Sequence, residues 1–291
     1  MKEHLSPREL ASAMGVSESS IKRWSDAGRI RMQRTAGGHR RIPTREAVRF
    51  IREQRHPLDD PSALGLPVDT PAARVDGSTR DEDQLFELLR SGDGDRAFDF
   101  VRTLYIAGLS VEQIVDGPFR VSFKRIGELW RHHGDAGVMW EHRATQHGLG
   151  LLQSLRSLLP ERSVDAPLAV GGAPAGDPYQ LPSMAVQVAL EAAGFQATNL
   201  GTNTPTGSFV NAAREIRPLL IWISATAAPP SAQEFAPLFK IADAVGSHIV
   251  IGGQRALGIQ SLPAEVLAIE TVTELTAFAK GLARRQERSD G

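Results

Sequence analysis

Two groups of side chains in this sequence have the types and spacing to do chemistry. The first is basic. Ser19, Ser20, Lys22 and Arg23 take outward positions on a short amphipathic segment, and Arg40 and Arg41 follow Gly37-Gly38. Guanidinium and ammonium groups interleaved with hydroxyls suit phosphate oxygens and the edges of bases. The second group is spread over the rest of the chain. Trp130, His132, His133, Glu141, His142 and His147 stand out in a helical stretch. Asp177-Pro178-Tyr179 follows one apolar run, Ser224 ends another, and Gly252-Gly253 follows a third. Loops at the carboxyl ends of parallel strands are where an open α/β sheet receives ligands. His132 and His133 resemble a metal pair only superficially, because adjacent residues do not share a helix face, and no metal site is expected. No nucleophile–base pair, P-loop or metal-ligand spacing is visible, so an enzyme is not expected.

These groups need elements to position them. Ser6 is a plausible N-cap, Pro7 fits the first helical position and Glu9 completes a capping box. Ser17 then caps a second helix over Glu18–Ala27. Two short helices around a Gly15 turn make a helix-turn-helix with Leu10, Ala13, Ile21 and Trp24 as its core. Residues 29–42 read as a hairpin wing with Gly37-Gly38 at its tip, and a third helix runs over 45–55. Residues 57–80 are rich in Pro, Gly and Asp and read as a mobile linker. Residues 81–160 carry four amphipathic segments punctuated by glycines, which predicts a four-helix bundle. From residue 165 to 291 strands and helices alternate. Strands are expected at 168–170, 197–200, 219–224, 248–251 and 266–269, in a flavodoxin-like (Rossmann-like) five-stranded parallel sheet. The expected fold is therefore multidomain, α and α/β, with boundaries at 1–56, 57–80, 81–160 and 165–291.

Composition limits the functions. The chain has 291 residues, 41% hydrophobic and 23% charged, as in an ordinary soluble protein. It has no cysteine, which excludes disulfides, thiolate metal ligands and thiol catalysis. No apolar run reaches the ~18 residues of a membrane span, and the N-terminus lacks an apolar signal core. A cytoplasmic protein without a membrane partner is expected. The net charge of −1 hides a split. Residues 1–56 hold 13 Lys and Arg against 6 Asp and Glu, and the remainder holds 20 against 28. A basic head on an acidic body points the head at a polyanion.

The segments LSPRELASAMGVSESSIKRWSDAGRI and TAGGHRRI closely resemble the winged helix-turn-helix of MerR-type regulators. A helical bundle followed by a flavodoxin-like sheet is similar to the cobalamin-binding module of corrinoid proteins and methionine synthase. Together they resemble the light-sensing, cobalamin-dependent repressors of carotenoid genes, over almost the whole chain. That resemblance implies double-stranded operator DNA as partner, with Ser19, Ser20, Lys22, Arg23, Arg40 and Arg41 as contacts. It implies a homo-oligomer, dimer or tetramer, and adenosylcobalamin or another tetrapyrrole as ligand. It assigns Trp130, Glu141 and His142 to the cap over the corrin, with Trp140 and His133 as neighbours able to substitute. It assigns Asp177, Ser224, Gly252 and Gly253 to the floor, and LGTNTP (residues 200–205) to the second turn. In the family a histidine two residues after the loop acid ligates cobalt from below. Here Tyr179 stands in that place, and a phenol of pKa about 10 is a poor donor unless ionised.

Three functions follow. The first is a transcriptional regulator, a repressor, whose body senses a tetrapyrrole or light. The second is a cofactor-free regulator whose body only assembles copies or binds partners. The third, a corrinoid enzyme or methyl carrier, is disfavoured by the basic head and by Tyr179.

Overall fold

The computed structural model describes residues 1–67, 79–227, 231–256, 263 and 266–290, without the side chains of residues 130, 131, 289 and 290. The chain divides into two compact units, Met1–Pro160 and Glu161–Gly291.

Unit 1 begins with the head. Helix α1 (Pro7–Ala13) starts at the Ser6 cap. Ser6 N–H donates to Glu9 Oε2 at 2.7 Å and Glu9 N–H donates to Ser6 Oγ at 3.2 Å, so two otherwise orphaned donors are satisfied reciprocally. Helix α2 (Glu18–Asp26) starts at the Ser17 cap. Strand β1 (His4–Leu5) pairs antiparallel with β3 (Arg40–Pro43), and β3 pairs with β2 (Gln33–Arg34). The β2–β3 hairpin is the expected wing. Its tip closes through Thr35 N–H to His39 O and Gly38 N–H to Thr35 O, with Gly38 at φ 78°, a conformation that glycine adopts without strain. Helix α3 (Thr44–Gln54) completes the head and buries Ala47, Val48, Phe50 and Ile51.

The stretch expected as a linker does not begin at residue 57. Leu58, Pro61, Ala63, Leu64 and Leu66 are buried. A single 3-10 turn, Pro61–Leu64, is capped by Asp60. Asp59 N–H donates to Ala13 O at 2.8 Å, and Ser12 Oγ donates to Asp60 Oδ2 at 2.7 Å. Apolar residues among the prolines override the loop-like composition there. Residues 68–78, the rest of the expected linker, lie outside the described residues.

The bundle consists of α4 (Thr79–Ser91), α5 (Gly94–Ile106), the short α6 (Val111–Ile114), a π turn over Val115–Phe119 and α7 (Arg120–Leu158). The third expected segment, residues 114–129, runs from α6 through the π turn into the first part of α7, and the fourth, residues 149–158, lies at the end of α7. Gly134 interrupts α7 with φ 52° and ψ −136°, so the helix has two arms meeting at one glycine. The first arm meets the start of α4, where Ser122 Oγ donates to Glu82 O and Arg125 pairs with Asp83 at 2.6 Å. The second arm meets the end of α4, where Arg143 Nη2 donates to Arg90 O at 2.7 Å. Leu85, Leu89, Leu104, Ile126, Leu151, Leu152 and Leu155 are buried in this unit.

Unit 2 is a parallel sheet of five described strands: β4 (Leu168–Gly172), β5 (Gln196–Asn199), β6 (Leu220–Ser224), β7 (His248–Gly252) and β8 (Val266–Ile269). Their order is β5-β4-β6-β7-β8. Side chains alternate across the strands. Leu220 and Trp222 pack with Leu190 of α8 (Gln180–Ala192) and with Leu275, Ala279 and Leu282 of α11 (Val272–Asp290). Ile221 and Ile223 pack with Phe209 and Ala213 of α9 (Thr206–Ile216) and with Phe235 and Leu238 of α10 (Ala232–Val245). The strand order reverses between β4 and β6, so the crevice between their following loops is the sheet's switch point.

Candidate nucleic-acid interface and the switch point of the sheet

The basic residues expected on the head occupy α2 and the wing. Ser19, Lys22 and Arg23 are exposed and Ser20 is partly buried. Ser17 Oγ lies 2.8 Å from Ser19 Oγ and 3.0 Å from Ser20 Oγ, so the cap of α2 gathers three hydroxyls. Lys22 pairs with Glu18 at 2.8 Å, one turn away, and this ammonium is the largest influence holding the Glu18 carboxyl below its usual range. Arg41 is exposed. Arg40 lies opposite Arg34 in the wing ladder and is held differently, with Nη2 3.0 Å from Asp26 Oδ1 at the end of α2. Ser6, Pro7, Glu18 and Lys22 line one side of a groove of about 400 Å³, and Gly38, His39, Arg40 and Arg41 line the other.

The arginines of α3 serve the inside of the unit. Arg49 donates to both Glu46 oxygens and to Arg29 O and pairs with Glu53. The Arg52 guanidinium lies 3.8 Å from the centre of the Tyr105 ring. It donates to Tyr105 O, and to Leu109 O at 2.9 Å. Burial pulls the Arg52 pKa down and pushes the Tyr105 pKa up. Trp24, expected in the core, is only partly buried. It packs on Phe50 at 5.2 Å, and Arg29 lies 5.8 Å from both rings. Arg34, His39 and Asp26 join this face although no sequence motif singles them out. Asp26 carries no motif, and only the fold brings it to Arg40.

In the bundle, Glu141 accepts from Thr145 Oγ1 at 2.9 Å and lies 3.6 Å from His142 Nε2. The His142 side chain is exposed. The His133 ring packs on Trp140 with centroids 5.3 Å apart, so these two neighbours come together across Gly134. The backbone of Trp130 lies in α7, and its side chain lies outside the described residues. No group of three metal-capable side chains occurs among the described residues.

At the switch point Asp177 is a hub. Its side chain is buried, 1% exposed. Oδ1 accepts Tyr179 N–H at 3.0 Å, and Oδ2 accepts Thr226 N–H at 2.5 Å and Ala227 N–H at 3.0 Å. Its carbonyl accepts Asn203 N–H at 3.0 Å. One residue thus ties together the loops after β4, β5 and β6. Tyr179 caps the start of α8 and is half exposed. Ser224 is buried and lies opposite Gly252 in the β6–β7 register. Gly253 adopts φ 110°, and a Cβ there would lie 2.4 Å from Ala225 O. Gly171 packs against Trp222, whose ring would lie 2.1 Å from a Cβ. Trp222 Nε1 donates to Ser183 Oγ at 3.1 Å, and Ser183 Oγ donates to Asn199 Oδ1 at 3.0 Å. The glycine spaces are therefore filled by the chain itself. Of the eight histidines, unit 2 holds one, His248. It begins β7, at the amino edge of the sheet, where burial and then Arg285 lower its pKa.

The fold and the head define a class: a winged helix-turn-helix joined to a helical bundle and a Rossmann-like sheet of corrinoid-protein type. No family model matches the chain. Along its length it is similar to the HTH-type transcriptional repressor CarA of Myxococcus xanthus, with 24% identity over 97% of this chain and 98% of the relative. The monomethylamine corrinoid protein of Methanosarcina barkeri superposes with a TM-score of 0.50 at 16% identity, over 70% of this chain and 98% of that one. The resemblance drawn from the motifs thus extends over the whole chain in sequence, and the corrinoid-protein fold is borne out.

Proposed function

We propose that this protein is a DNA-binding transcriptional repressor whose helical bundle and α/β unit form a sensor module of cobalamin-binding type. The observation that carries the DNA half is the basic face of α2 and the wing on an otherwise acidic chain. The end-to-end similarity to a repressor supports the regulatory reading. Arg23, Arg41, Lys22 and Arg40 meet phosphates and base edges, with Ser19 and Ser20 beside them. One helix-turn-helix reads a short half-site, so two or four copies bind together on a two-fold site. The test is selection of bound duplexes from fragmented genomic DNA, with complexes weighed by mass photometry. Enrichment of two-fold symmetric sequences, bound by dimers or tetramers, is expected. Recovery of random sequence bound by single copies contradicts the reading.

For the sensor half, a cobalamin held from below by a chain imidazole does not fit unit 2. Tyr179 stands where the family resemblance expects the ligating histidine, and His248, the one histidine of unit 2, begins β7 at the amino edge of the sheet. The Asp177 carboxylate is committed to three backbone donors. A tetrapyrrole sensed by unit 2 would rest on Ser224, Gly252 and Gly253 at the carboxyl ends of β6 and β7, without that bond. The internal engagement of Asp177, Gly171 and Gly253 favours a second reading, a regulator that works with no cofactor. Titration of the full chain and of Tyr179→His with adenosylcobalamin separates the two. A bound visible spectrum in the wild type supports the sensor. Binding only by the variant, or by neither, supports the cofactor-free regulator.

A further inference from the structure

The head carries a partly exposed cation with one nitrogen that is neither solvated nor bonded. Arg40 Nη1 is buried and has no hydrogen-bond partner among the described residues, while Nη2 meets Asp26 at 3.0 Å. Asp26 is the last residue of α2, and its side chain is 64% exposed. Arg40 also lines the groove between α2 and the wing, together with Lys22, Arg41, His39 and Ser6. Glu18 lines it too, already paired with Lys22. A guanidinium has five donors in a planar fork and binds an oxyanion through two of them at once. Here a single carboxylate oxygen occupies one nitrogen and leaves its twin unsatisfied. An arginine in this state is prepared for a larger oxyanion. A phosphate offers a second oxygen to Nη1, which Asp26 does not supply. The carboxylate is exposed, and pairs of that kind hold with little energy, so a phosphate in the groove can displace it.

We infer that the groove between α2 and the wing seats one backbone phosphate of duplex DNA, and that Asp26 is its stand-in in the free protein, holding Arg40 until the phosphate arrives. This rests on the DNA-binding reading. It adds that an acidic residue on the recognition helix sets a threshold against weakly bound, non-specific DNA. Non-specific duplex must displace Asp26 without help from base contacts, whereas an operator brings additional contacts that offset the lost pair.

The test is a double-mutant cycle on the full chain, with a random-sequence duplex as probe and fluorescence anisotropy as readout. Asp26→Asn is expected to raise affinity about two- to fivefold, the range of an exposed ion pair. Arg40→Gln keeps much of the stem and removes the cation. In that background the gain from Asp26→Asn is expected to vanish. An equal gain in both backgrounds means that Asp26 acts by general repulsion of DNA and overturns the clamp alone. A loss of affinity in Asp26→Asn means that the pair builds the wing, and also overturns it. Thermal unfolding of each variant confirms that folded protein is being compared. Failure of the wild type to bind any duplex at low salt overturns the DNA reading itself, an outcome distinct from the other two.

Discussion

In the head, the basic residues proposed for recognition are exposed or partly exposed and two of them are held by ion pairs. Lys22 meets Glu18 and Arg40 meets Asp26, and solvent-screened pairs of that kind contribute little to stability. In the α/β unit, the residues at the place where such sheets bind ligands are turned inward. Asp177 is buried and accepts three backbone N–H groups from two loops, and Gly253 and Gly171 are filled by Ala225 and Trp222. The same kind of evidence, a polar residue at the right end of the right element, thus means different things in the two regions. On the head it marks groups that remain at least partly exposed. At the switch point it marks groups that the fold has already used to close its own loops.

The largest expected effect breaks the comparison at its buried end. Asp177→Ala leaves three backbone donors without their carboxylate, and loss of charge-assisted bonds in a buried site costs about 3 kcal/mol. Urea unfolding of the full chain should show the α/β unit destabilised by that order. A change under about 0.5 kcal/mol would mean that the hub is not holding the loops.

The next effect is at the exposed end. Arg40→Ala with Arg41→Ala should lower duplex affinity roughly tenfold or more, and reduce the slope of log affinity against log salt by about two. Stability should change little. A slope equal to that of the wild type would remove the wing from the interface.

The smallest effect compares two carboxylates. Glu9 on the head is held at about 2, against 4.5 for the free side chain, first by the Lys2 ammonium and then by the Ser6 N–H. A carboxyl lowered on folding stabilises the native state above the unfolded pKa. That contribution fades as pH falls from 4.5 towards 2. Because Glu9 is on the surface, its capping box contributes only about 0.5–1 kcal/mol at neutral pH. Glu9→Gln should show this small deficit at pH 7 and none at the acid end of the window, read by thermal unfolding at each pH. A deficit as large as that of Asp177→Ala would erase the distinction between the two regions.

Much of this architecture was legible in the residues. The Ser6 and Ser17 caps, the wing tip at Gly37-Gly38 and the five strands of unit 2 carry local signals that the fold keeps. Two features were not legible for physical reasons. Residues 57–66 have the prolines and aspartates of a linker, yet Leu58, Leu64 and Leu66 find α1 and the N-terminus to bury against, a tertiary gain that composition does not encode. The punctuation expected at Gly134 is present, but as a single kinked residue at φ 52° rather than a loop, because one glycine is enough to end one arm and begin the next. The site residues divide in the same way. Arg41 and Lys22 are where the motif put them. The commitment of Asp177 to Thr226 and Ala227, and of Arg40 to Asp26, joins residues distant in sequence, and only the folded chain brings them together.

The DNA-binding face proposed here is built from residues of α2 and the wing alone. The most direct measurement is a salt series of duplex binding by the full chain purified without cobalamin, repeated with adenosylcobalamin added. Wherever binding is seen, log affinity is expected to fall linearly with log salt, with one slope in both series because the phosphate contacts come from the head. Affinity that does not vary with salt in either series would contradict phosphate contacts from the head.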